Sequence, residues 1–284
     1  MTISIRTLEG VPTAEIIQVF NRSFGDYRIK MRLNQELLQH KMQVEQIHLS
    51  FSAGVFVQDK LAGLMLHAID AVGDEIWAYN GGTGVVPEWR GQGFSALMYE
   101  YLFGLFRDNN ISQCLLEVME TNESALHVYR KLGFELRREL DCLQGVVHFP
   151  KLPPLAPGLE LIPVSPDAWD TFSACWDFQP TWQNTTRVIA RAYPDFSAIG
   201  LYHEATLAGY ILSNPETGRI AQFGVHPRYR NKGYGTLLFA YLSKLTTPRL
   251  SVINVDKGDR ATMAFLHKLG FRSYVAQLEM RKII

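Results

Sequence analysis

The stretch Val85-Val86-Pro-Glu-Trp-Arg-Gly-Gln-Gly-Phe-Ser95 is the most informative part of this sequence of 284 residues. An apolar, strand-like run ends at Val86, glycines follow at positions 91 and 93, and a helical pattern begins after them. Glycine lets the backbone approach a ligand closely, and the first N–H groups of a helix have no partner within it. With the positive end of the helix dipole, these groups form a site suited to phosphate.

Two other kinds of phosphate-binding loop are excluded by the residues present. A P-loop needs Gly-x-x-x-x-Gly-Lys followed by Ser or Thr, and the sequence contains no such run. A dinucleotide-binding fingerprint needs a third glycine, and Ala96 stands in its place. The loop therefore belongs to neither of these nucleotide-binding classes.

A similar loop occurs a second time in the chain, 140 residues later. Residues 225–235 read Val-His-Pro-Arg-Tyr-Arg-Asn-Lys-Gly-Tyr-Gly. The pair Gly133-Phe134 also recurs, as Gly270-Phe271, at an offset of 137. Two ordered matches at nearly one offset indicate a tandem duplication. Residues 149–158 hold four prolines and are predicted to form a stiff linker between the copies.

Each copy has the pattern of alternating strands and helices. The helix predicted after Gly93 carries apolar residues at the spacing of an amphipathic helix. They are Phe94, Leu97, Met98, Tyr101, Leu102, Leu105 and Phe106. A single core rarely grows much beyond ~250 residues, which also favours two domains. We predict an α/β fold with a mixed sheet flanked by helices, in two domains at 1–148 and 159–284.

The composition excludes several classes of protein. The 28 Lys and Arg balance 28 Asp and Glu, whereas a nucleic-acid binder normally carries a basic surplus. No apolar run reaches the length of a membrane helix, and the N-terminus lacks the pattern of a signal peptide. The three cysteines form no CxxC pair, and the histidines have no metal-ligand spacing. We predict no nucleic-acid partner, no membrane, no metal and a cytoplasmic location.

The two loops resemble the Arg/Gln-x-x-Gly-x-Gly/Ala signature of the GNAT superfamily of acetyl-CoA-dependent N-acetyltransferases. Residues 230–235 fit it fully, whereas residues 90–95 end in Ser rather than Gly or Ala. The first copy also contains Asn122-x-x-Ala-x-x-x-Tyr129-x-x-x-Gly-Phe134, which resembles a later motif of the family. The resemblance implies two GNAT-like domains and transfer of an acetyl group from acetyl-CoA, as co-substrate, to an amine of a small molecule or peptide.

The resemblance also implies roles for individual residues. Tyr129 would protonate the leaving thiolate, since the reference pKa of tyrosine lies close above that of a thiol. The strand end would bind the pantetheine arm, and the loop N–H groups the pyrophosphate. The acetyl-CoA contacts implied in the first copy are Val85, Val86, Arg90, Gly91, Gln92, Gly93, Phe94, Ser95 and Asn122. Those implied in the second copy are Val225, Arg230, Asn231, Lys232, Gly233, Tyr234 and Gly235.

The second copy departs from the later motif. Counting back from Gly270-Phe271 places Leu266 at the position of Tyr129 and Asp259 at that of Asn122. Leucine cannot donate a proton. We therefore predict that the first copy is catalytic and that the second is a degenerate copy, which binds acetyl-CoA or shapes the interface.

Several alternatives stay open at the level of sequence. Arg90 either fixes the loop or contacts phosphate, and Tyr129 is either the acid or a core aromatic residue. The segment 20–27 either receives a cationic acceptor on its aromatic rings and Asp26 or packs a helix. The candidate general bases, none of which is preferred, are Asp74, Glu75, Glu117 and Glu120. The chain is alternatively an acyl-CoA sensor without activity, or a transferase that uses another acyl donor.

The charge is unevenly divided between the copies. Residues 1–148 hold 13 Lys and Arg against 18 Asp and Glu, a net charge of −5, and residues 149–284 carry +5.

Because a negative copy attracts a cationic amine, raising the salt from ~50 to ~500 mM is expected to raise the KM for such an acceptor. Steady-state kinetics with a cationic and a neutral acceptor checks this. If the KM for the cationic acceptor did not change with salt concentration, this result would contradict electrostatic steering.

Overall fold

The structure is a computed structural model and describes residues 2–26, 31–247 and 249–284. The chain divides into two compact units. The first consists of Met1–Arg137 and Leu278–Ile284, and the second of Arg138–Gln277. Both are built from a mixed sheet with helices, as predicted. Every helix in the described part of the chain is too short or too polar to span a lipid bilayer.

The first unit contains a sheet in the order β1-β2-β3-β4-β5. Its elements in chain order are β1 (Ile3–Thr7), α1 (Thr13–Ser23), α2 (Gln35–Glu45), β2 (Ala53–Val57), β3 (Lys60–Val72), β4 (Glu75–Val85), α3 (Phe94–Asp108), β5 (Ile111–Met119) and α4 (Glu123–Lys131). Neighbouring strands are antiparallel except β4 and β5, which are parallel. A parallel pair needs a long crossover, and α3 provides it.

The second unit repeats this plan with the sheet order β6-β11-β10-β9-β8-β7. Its elements are β6 (Glu135–Val146), β7 (Leu159–Val164), α5 (Thr186–Arg191), β8 (Ser197–His203), β9 (Thr206–Asn214), β10 (Arg219–Val225), α6 (Tyr234–Leu242), β11 (Arg249–Asp256), α7 (Arg260–Lys268) and β12 (Arg272–Ile283). Here β10 and β11 are the parallel pair, with α6 as their crossover. The duplication inferred from the loops is thus also present in the order of the elements.

The compact units do not follow the repeat boundaries. The last strand of the first copy, β6, pairs with β11, so that Leu143 lies opposite Val252 inside the second unit. Conversely, the end of β12 belongs to the first unit, where the N–H of Ile284 donates to the carbonyl of Ser112 at 2.9 Å. Each unit is therefore completed by the last strand of the other copy. Residues 138–158, which include the proline-rich segment, are counted in the second unit.

Helix α3 forms where the sequence predicts it, but its buried face is rotated from the expected one. Leu97 and Tyr101 were expected to face the core and are 41% and 40% exposed. Tyr99 and Phe103 are buried instead, and both rings contact Phe134 after α4. The contact with Phe134 therefore determines which face of α3 is buried, because a helix that is apolar on two sides can pack on the sheet with either side.

His67 on β3 is a fully buried titratable group in the first unit. Its ring packs edge-on against Tyr99 and Phe106, and its Nε2 lies 3.8 Å from Sγ of Cys114. Burial lowers the pKa of His67 from 6.5 to about 3. The imidazole is therefore neutral at neutral pH.

The pKa of His67 predicts how stability depends on pH. The unfolded chain takes up a proton below about pH 6.5, whereas the folded chain does so only near pH 3. The free energy of unfolding is expected to fall as the pH drops through this window, by at most about 1.4 kcal/mol per pH unit from this residue. His67→Phe keeps an aromatic ring and should flatten this dependence in urea denaturation between about pH 7 and 5. The exposed His148→Phe is the control, and an unchanged slope in His67→Phe would contradict the assignment.

Candidate active site

Strands β4 and β5 separate towards their C-terminal ends. In the part of the chain that the structure describes, their register ends where Tyr79 lies opposite Leu115. Beyond this point β4 continues to Val85, still paired with β3 on its other side, and β5 continues to Met119. The gap between the two strands, here called the fork, leaves backbone N–H and C=O groups of β4 directed towards its open side.

A cleft with a volume of about 820 Å³ opens at the fork of the first unit. Eight residues predicted from the sequence line it: Val85, Arg90, Gly91, Gly93, Phe94, Ser95, Asn122 and Tyr129. Val86 is 2% exposed and packs into the core, whereas Gln92 is exposed outside the residues that line the cleft. The fold thus brings the loop and the later motif together at one cavity.

The loop that leads into α3 has the geometry of an anion site. Gly91 and Gly93 have φ values of 75° and 74°, in the left-handed region that favours glycine. A Cβ at either position would meet no atom within 4 Å, so the backbone conformation, not packing, requires glycine. Gly93 is the N-cap of α3 and provides no side chain to bond the first N–H groups of the helix. These donors are therefore free to bind a phosphate group of a ligand.

The side chain of Arg90 turns back onto the protein. Its Nε donates to the carbonyl of Val85 at 3.1 Å, and its Nη2 donates to the carbonyl of Ser23 and to Oδ1 of Asp26, both at 2.9 Å. The hydrogen bonds from Arg90 hold the pKa of Asp26 at about 2. Of the two alternatives left by the sequence, this geometry supports the role of fixing the loop.

The aromatic segment before the loop packs α1. The rings of Phe20 and Phe24 lie 4.5 Å apart, and both residues are buried. Since Asp26 is paired with Arg90, the carboxylate already has a cationic partner. The remaining member of the proposed acceptor segment, Tyr27, lies outside the described residues. The contacts support helix packing rather than binding of an acceptor.

Tyr129 is both a packed aromatic residue and a wall of the cleft. It is the seventh residue of α4, is 8% exposed, and meets the rings of Tyr99 and Phe134 edge-on at 6.0 and 5.7 Å. Asn122 caps the same helix by accepting a hydrogen bond from the N–H of Ala125 at 3.3 Å. The cap fixes where α4 begins and therefore where Tyr129 lies.

The sequence analysis did not identify a pair of buried polar residues that lie next to Tyr129. Nδ2 of Asn80 donates to the hydroxyl of Tyr99 at 2.6 Å and to Oγ1 of Thr83, in the cleft, at 2.7 Å. Burial raises the pKa of Tyr99 well above its ordinary value. Asn80 on β4 and Tyr99 on α3 have no shared motif, and only the packing of the helix on the sheet reveals the pair.

The second unit has its own cleft, with a volume of about 530 Å³. It is lined by six of the residues predicted for the second copy: Val225, Arg230, Asn231, Gly233, Tyr234 and Gly235. Lys232 is not among the lining residues, and its Nζ lies 5.4 Å from the ring centroid of Tyr229. Gly233 has a φ of 81° and is the N-cap of α6. The second loop therefore reproduces the backbone of the first.

Arg230 repeats the contacts of its counterpart in the first copy. Its Nε donates to the carbonyl of Val225 at 3.0 Å, and its Nη2 pairs with Asp177 at 2.9 Å. The helix cap is also repeated, since Asp259 accepts from the N–H of Thr262 at 2.9 Å. The duplication has thus kept the groups that hold the loop and the following helix in place.

The phenols of the first copy are replaced in the second. Leu266 is the seventh residue of α7, as Tyr129 is of α4, and it is fully buried. Phe239 is the sixth residue of α6, as Tyr99 is of α3. Neither hydrocarbon side chain donates or accepts a proton. Within the described residues, no group of three or more His, Cys, Asp or Glu is arranged to hold a metal ion.

The chain matches the model of the acetyltransferase (GNAT) family over residues 14–134 and 162–271, one segment in each copy. No curated protein matches it. The structure is similar to a tandem GNAT protein from the clavulanic acid biosynthesis pathway (TM-score 0.72, 14% identity, 99% of this chain and 98% of that one). It is also similar to a GCN5-related N-acetyltransferase from Sphaerobacter thermophilus (TM-score 0.71, 14% identity, 99% and 95%).

A third similar structure is the glucosamine N-acetyltransferase region of a fungal multi-domain β-N-acetylglucosaminidase (TM-score 0.74, 15% identity, 98% of this chain and 38% of that one). At such low identities these similarities show the fold alone. Together with the match in two segments, they confirm the predicted duplication and the predicted fold class.

The contacts of Arg90 predict the effect of removing its partner. If Arg90 fixes the loop through Asp26, then Asp26→Asn loosens the loop and should weaken acetyl-CoA binding about two- to fivefold, the range of an exposed ion pair. Isothermal titration calorimetry measures this. Glu88→Gln removes an exposed carboxylate of the loop itself, which pairs with Arg22, and controls for charge. Unchanged or tighter binding by Asp26→Asn would instead identify Arg90 as a direct phosphate ligand.

Proposed function

The chain belongs to the acetyltransferase (GNAT) family, and we propose that it moves the acetyl group of acetyl-CoA to a primary amine of a small molecule or peptide. Family membership makes the chain an acyltransferase. The donor, the amine acceptor and the residues that act on them are our proposal. It is carried by one observation: the forked strands, the loop of α3 and Tyr129 meet at a single cleft.

The residues at the cleft fit acetyl-CoA in shape and charge. The open N–H groups at the start of α3 suit a pyrophosphate, which is extended and negatively charged. The open side of β4 suits a pantetheine arm, which carries amide groups that can pair with a strand backbone; at its end the carbonyl of Val85 is already bonded to Arg90. Ser95 adds a hydroxyl in the first turn of the helix, where the family signature has Gly or Ala.

The reaction requires an amine to attack a thioester and a thiolate to leave. Tyr129 borders the cleft from α4, and its phenol is a suitable acid for a thiolate because their reference pKa values are similar. The edge-on contacts with Tyr99 and Phe134 hold its ring in one orientation. We assign the proton donated to sulfur to the Tyr129 hydroxyl.

The two copies divide the work in this proposal. The first copy carries out the chemistry, because its cleft has a phenol at the position where the second has Leu266. The second copy keeps the glycine loop, the arginine anchor and the helix cap, which are the groups that would bind acetyl-CoA. The second cleft is therefore proposed as a binding site without transfer activity.

The role of Tyr129 predicts the kinetics of its phenylalanine variant. Tyr129→Phe keeps the ring contacts and removes the proton, so kcat is expected to fall about 100-fold while acetyl-CoA binds with unchanged affinity. Release of free thiol from acetyl-CoA with a panel of amines measures turnover, and calorimetry measures binding. Tyr101→Phe on the exposed side of α3 is the control. Full turnover by Tyr129→Phe would contradict the role of Tyr129 as the acid. Tight binding of acetyl-CoA by the wild type without release of thiol would instead indicate a sensor.

A further inference from the structure

A threonine hydroxyl in the cleft of the first unit is held by a buried amide. Thr83 on β4 is half-buried and lines the cleft. Its Oγ1 accepts a hydrogen bond from Nδ2 of Asn80 at 2.7 Å, and the same Nδ2 donates to the hydroxyl of Tyr99 at 2.6 Å. The N–H of Gly82 donates to Oδ1 of Asn80 at 2.9 Å and so fixes the orientation of the amide. Both N–H donors of Asn80 are therefore engaged, one on each hydroxyl.

The bond from Asn80 determines what the Thr83 hydroxyl can do in the cleft. A hydroxyl has one proton and two lone pairs, and the amide occupies one of the lone pairs. Among the residues that the structure describes, none accepts the proton of this hydroxyl. The proton is thus available to a ligand, and Thr83 is a hydrogen-bond donor towards the cleft.

Thr83 lies in the same part of the cleft as the proposed acid. Tyr99, which shares the amide of Asn80 with Thr83, has its ring centroid 6.0 Å from that of Tyr129. Both Thr83 and Tyr129 line the cleft. Since the sulfur and the carbonyl oxygen of a thioester are bonded to one carbon, a ligand with its sulfur at Tyr129 has that oxygen close by. A carbonyl oxygen is the kind of acceptor that a fixed hydroxyl donor requires.

The second copy has hydrocarbon side chains at all four positions of this polar cluster. Strands β4 and β10 end at Val85 and Val225, and both shift their register at the fourth residue before that end, so their positions can be matched by counting. The polar cluster of the first copy consists of Asn80, Thr83, Tyr99 and Tyr129. The residues at the same positions of the second copy are Ile220, Phe223, Phe239 and Leu266.

The replacement changes the chemistry of the second cleft. Phe223 lines that cleft, and its ring meets the ring of Phe239 edge-on with centroids 5.0 Å apart. This wall can pack against a ligand but cannot donate a hydrogen bond. The cleft that lacks the proposed acid thus also lacks the hydroxyl donor, which is the pattern expected if both hydroxyls act on one group of the ligand.

We propose that the Thr83 hydroxyl donates a hydrogen bond to the thioester carbonyl oxygen of acetyl-CoA and that Asn80 positions it. This inference rests on the proposed acetyltransferase function. As the amine nitrogen forms the C–N bond, an electron pair of the C=O bond moves onto the oxygen, and the Thr83 donor stabilises that charge. The pair returns as the C–S bond breaks with its electrons on sulfur, which takes the proton of Tyr129. The surplus proton on nitrogen restores that phenol, and Thr83 keeps its own proton.

Thr83→Val tests the donor, because it replaces the hydroxyl by a methyl group of similar size. We expect kcat to fall about 100-fold, the lower end of the cost of removing one such donor, with little change in acetyl-CoA affinity. Thr83→Ser keeps a hydroxyl and should regain most of the turnover. Release of thiol with the amine panel measures kcat, and calorimetry measures binding. Thr7→Val, at a half-buried threonine of β1 outside the residues that line the cleft, is the control.

The infrared stretch of an isotope-labelled acetyl carbonyl reports the same contact without an amine. A hydrogen bond weakens the C=O bond, so the stretching frequency of bound acetyl-CoA should be higher in Thr83→Val than in the chain with Thr83. It should return to the lower value in Thr83→Ser. All the chains compared carry Gly233→Val, which is expected to keep acetyl-CoA out of the second cleft.

Asn80→Asp tests the positioning role. Aspartate keeps the shape of asparagine but accepts from the Thr83 hydroxyl instead of donating to it, so the proton turns away from the ligand. We expect its kcat and carbonyl frequency to match those of Thr83→Val, and the double variant to lose no more than either single variant. Losses that multiply in the double variant would contradict the positioning role of Asn80.

The outcomes separate this inference from the proposed function. Wild-type kcat with an unchanged carbonyl frequency in Thr83→Val would overturn the inference alone. An equal loss of kcat in Thr83→Val and Thr83→Ser would also overturn it, because packing rather than the hydroxyl would then be responsible. If the wild type releases no thiol with any amine in the panel, the proposed function falls, whereas a raised frequency in Thr83→Val would still support the contact.

Discussion

The separation of β4 from β5 is the constraint on which the rest of this molecule depends. Two parallel strands that stop pairing leave backbone donors and acceptors that must find other partners. In the first unit this happens after Tyr79 and Leu115, and a cleft opens there. The glycine loop, the start of α3 and the capped α4 are all placed around that opening. The fork therefore leaves an open cleft beside an ordinary strand–helix–strand unit, and we propose that an extended ligand binds there.

Much of the site could be predicted from the sequence because its parts are local. The loop needs glycine at two positive φ angles, and the cap of α4 needs a short polar side chain. Both requirements can therefore be recognised from the residue types in the sequence. The spacing from Asn122 to Tyr129 is two turns of one helix. By contrast, the bond from Tyr79 to Glu117 joins residues 38 positions apart on two strands, and no local pattern records it. The exchange of the last strands between the copies likewise depends on tertiary pairing. The buried face of α3 depends on its contact with Phe134.

The comparison of the two copies separates the groups that hold the fold from the group to which we assign chemistry. Both copies retain an arginine that ties the strand end to a carboxylate, Asp26 in one and Asp177 in the other. Both retain a glycine N-cap and a polar cap on the next helix. The residue to which we assign proton transfer differs, since Leu266 stands in the second copy at the position of Tyr129. Both copies are expected to keep these groups, because losing a cap or an anchor destabilises a domain directly, whatever its role.

The most direct test of this division of labour is amine-dependent release of thiol from acetyl-CoA by two matched loop variants. Gly93→Val and Gly233→Val each place a β-branched residue at a φ above 70° and disturb one loop only. We predict that Gly93→Val loses turnover, whereas Gly233→Val keeps the wild-type kcat and loses only binding at the second cleft. Loss of turnover in Gly233→Val with full activity in Gly93→Val would contradict it.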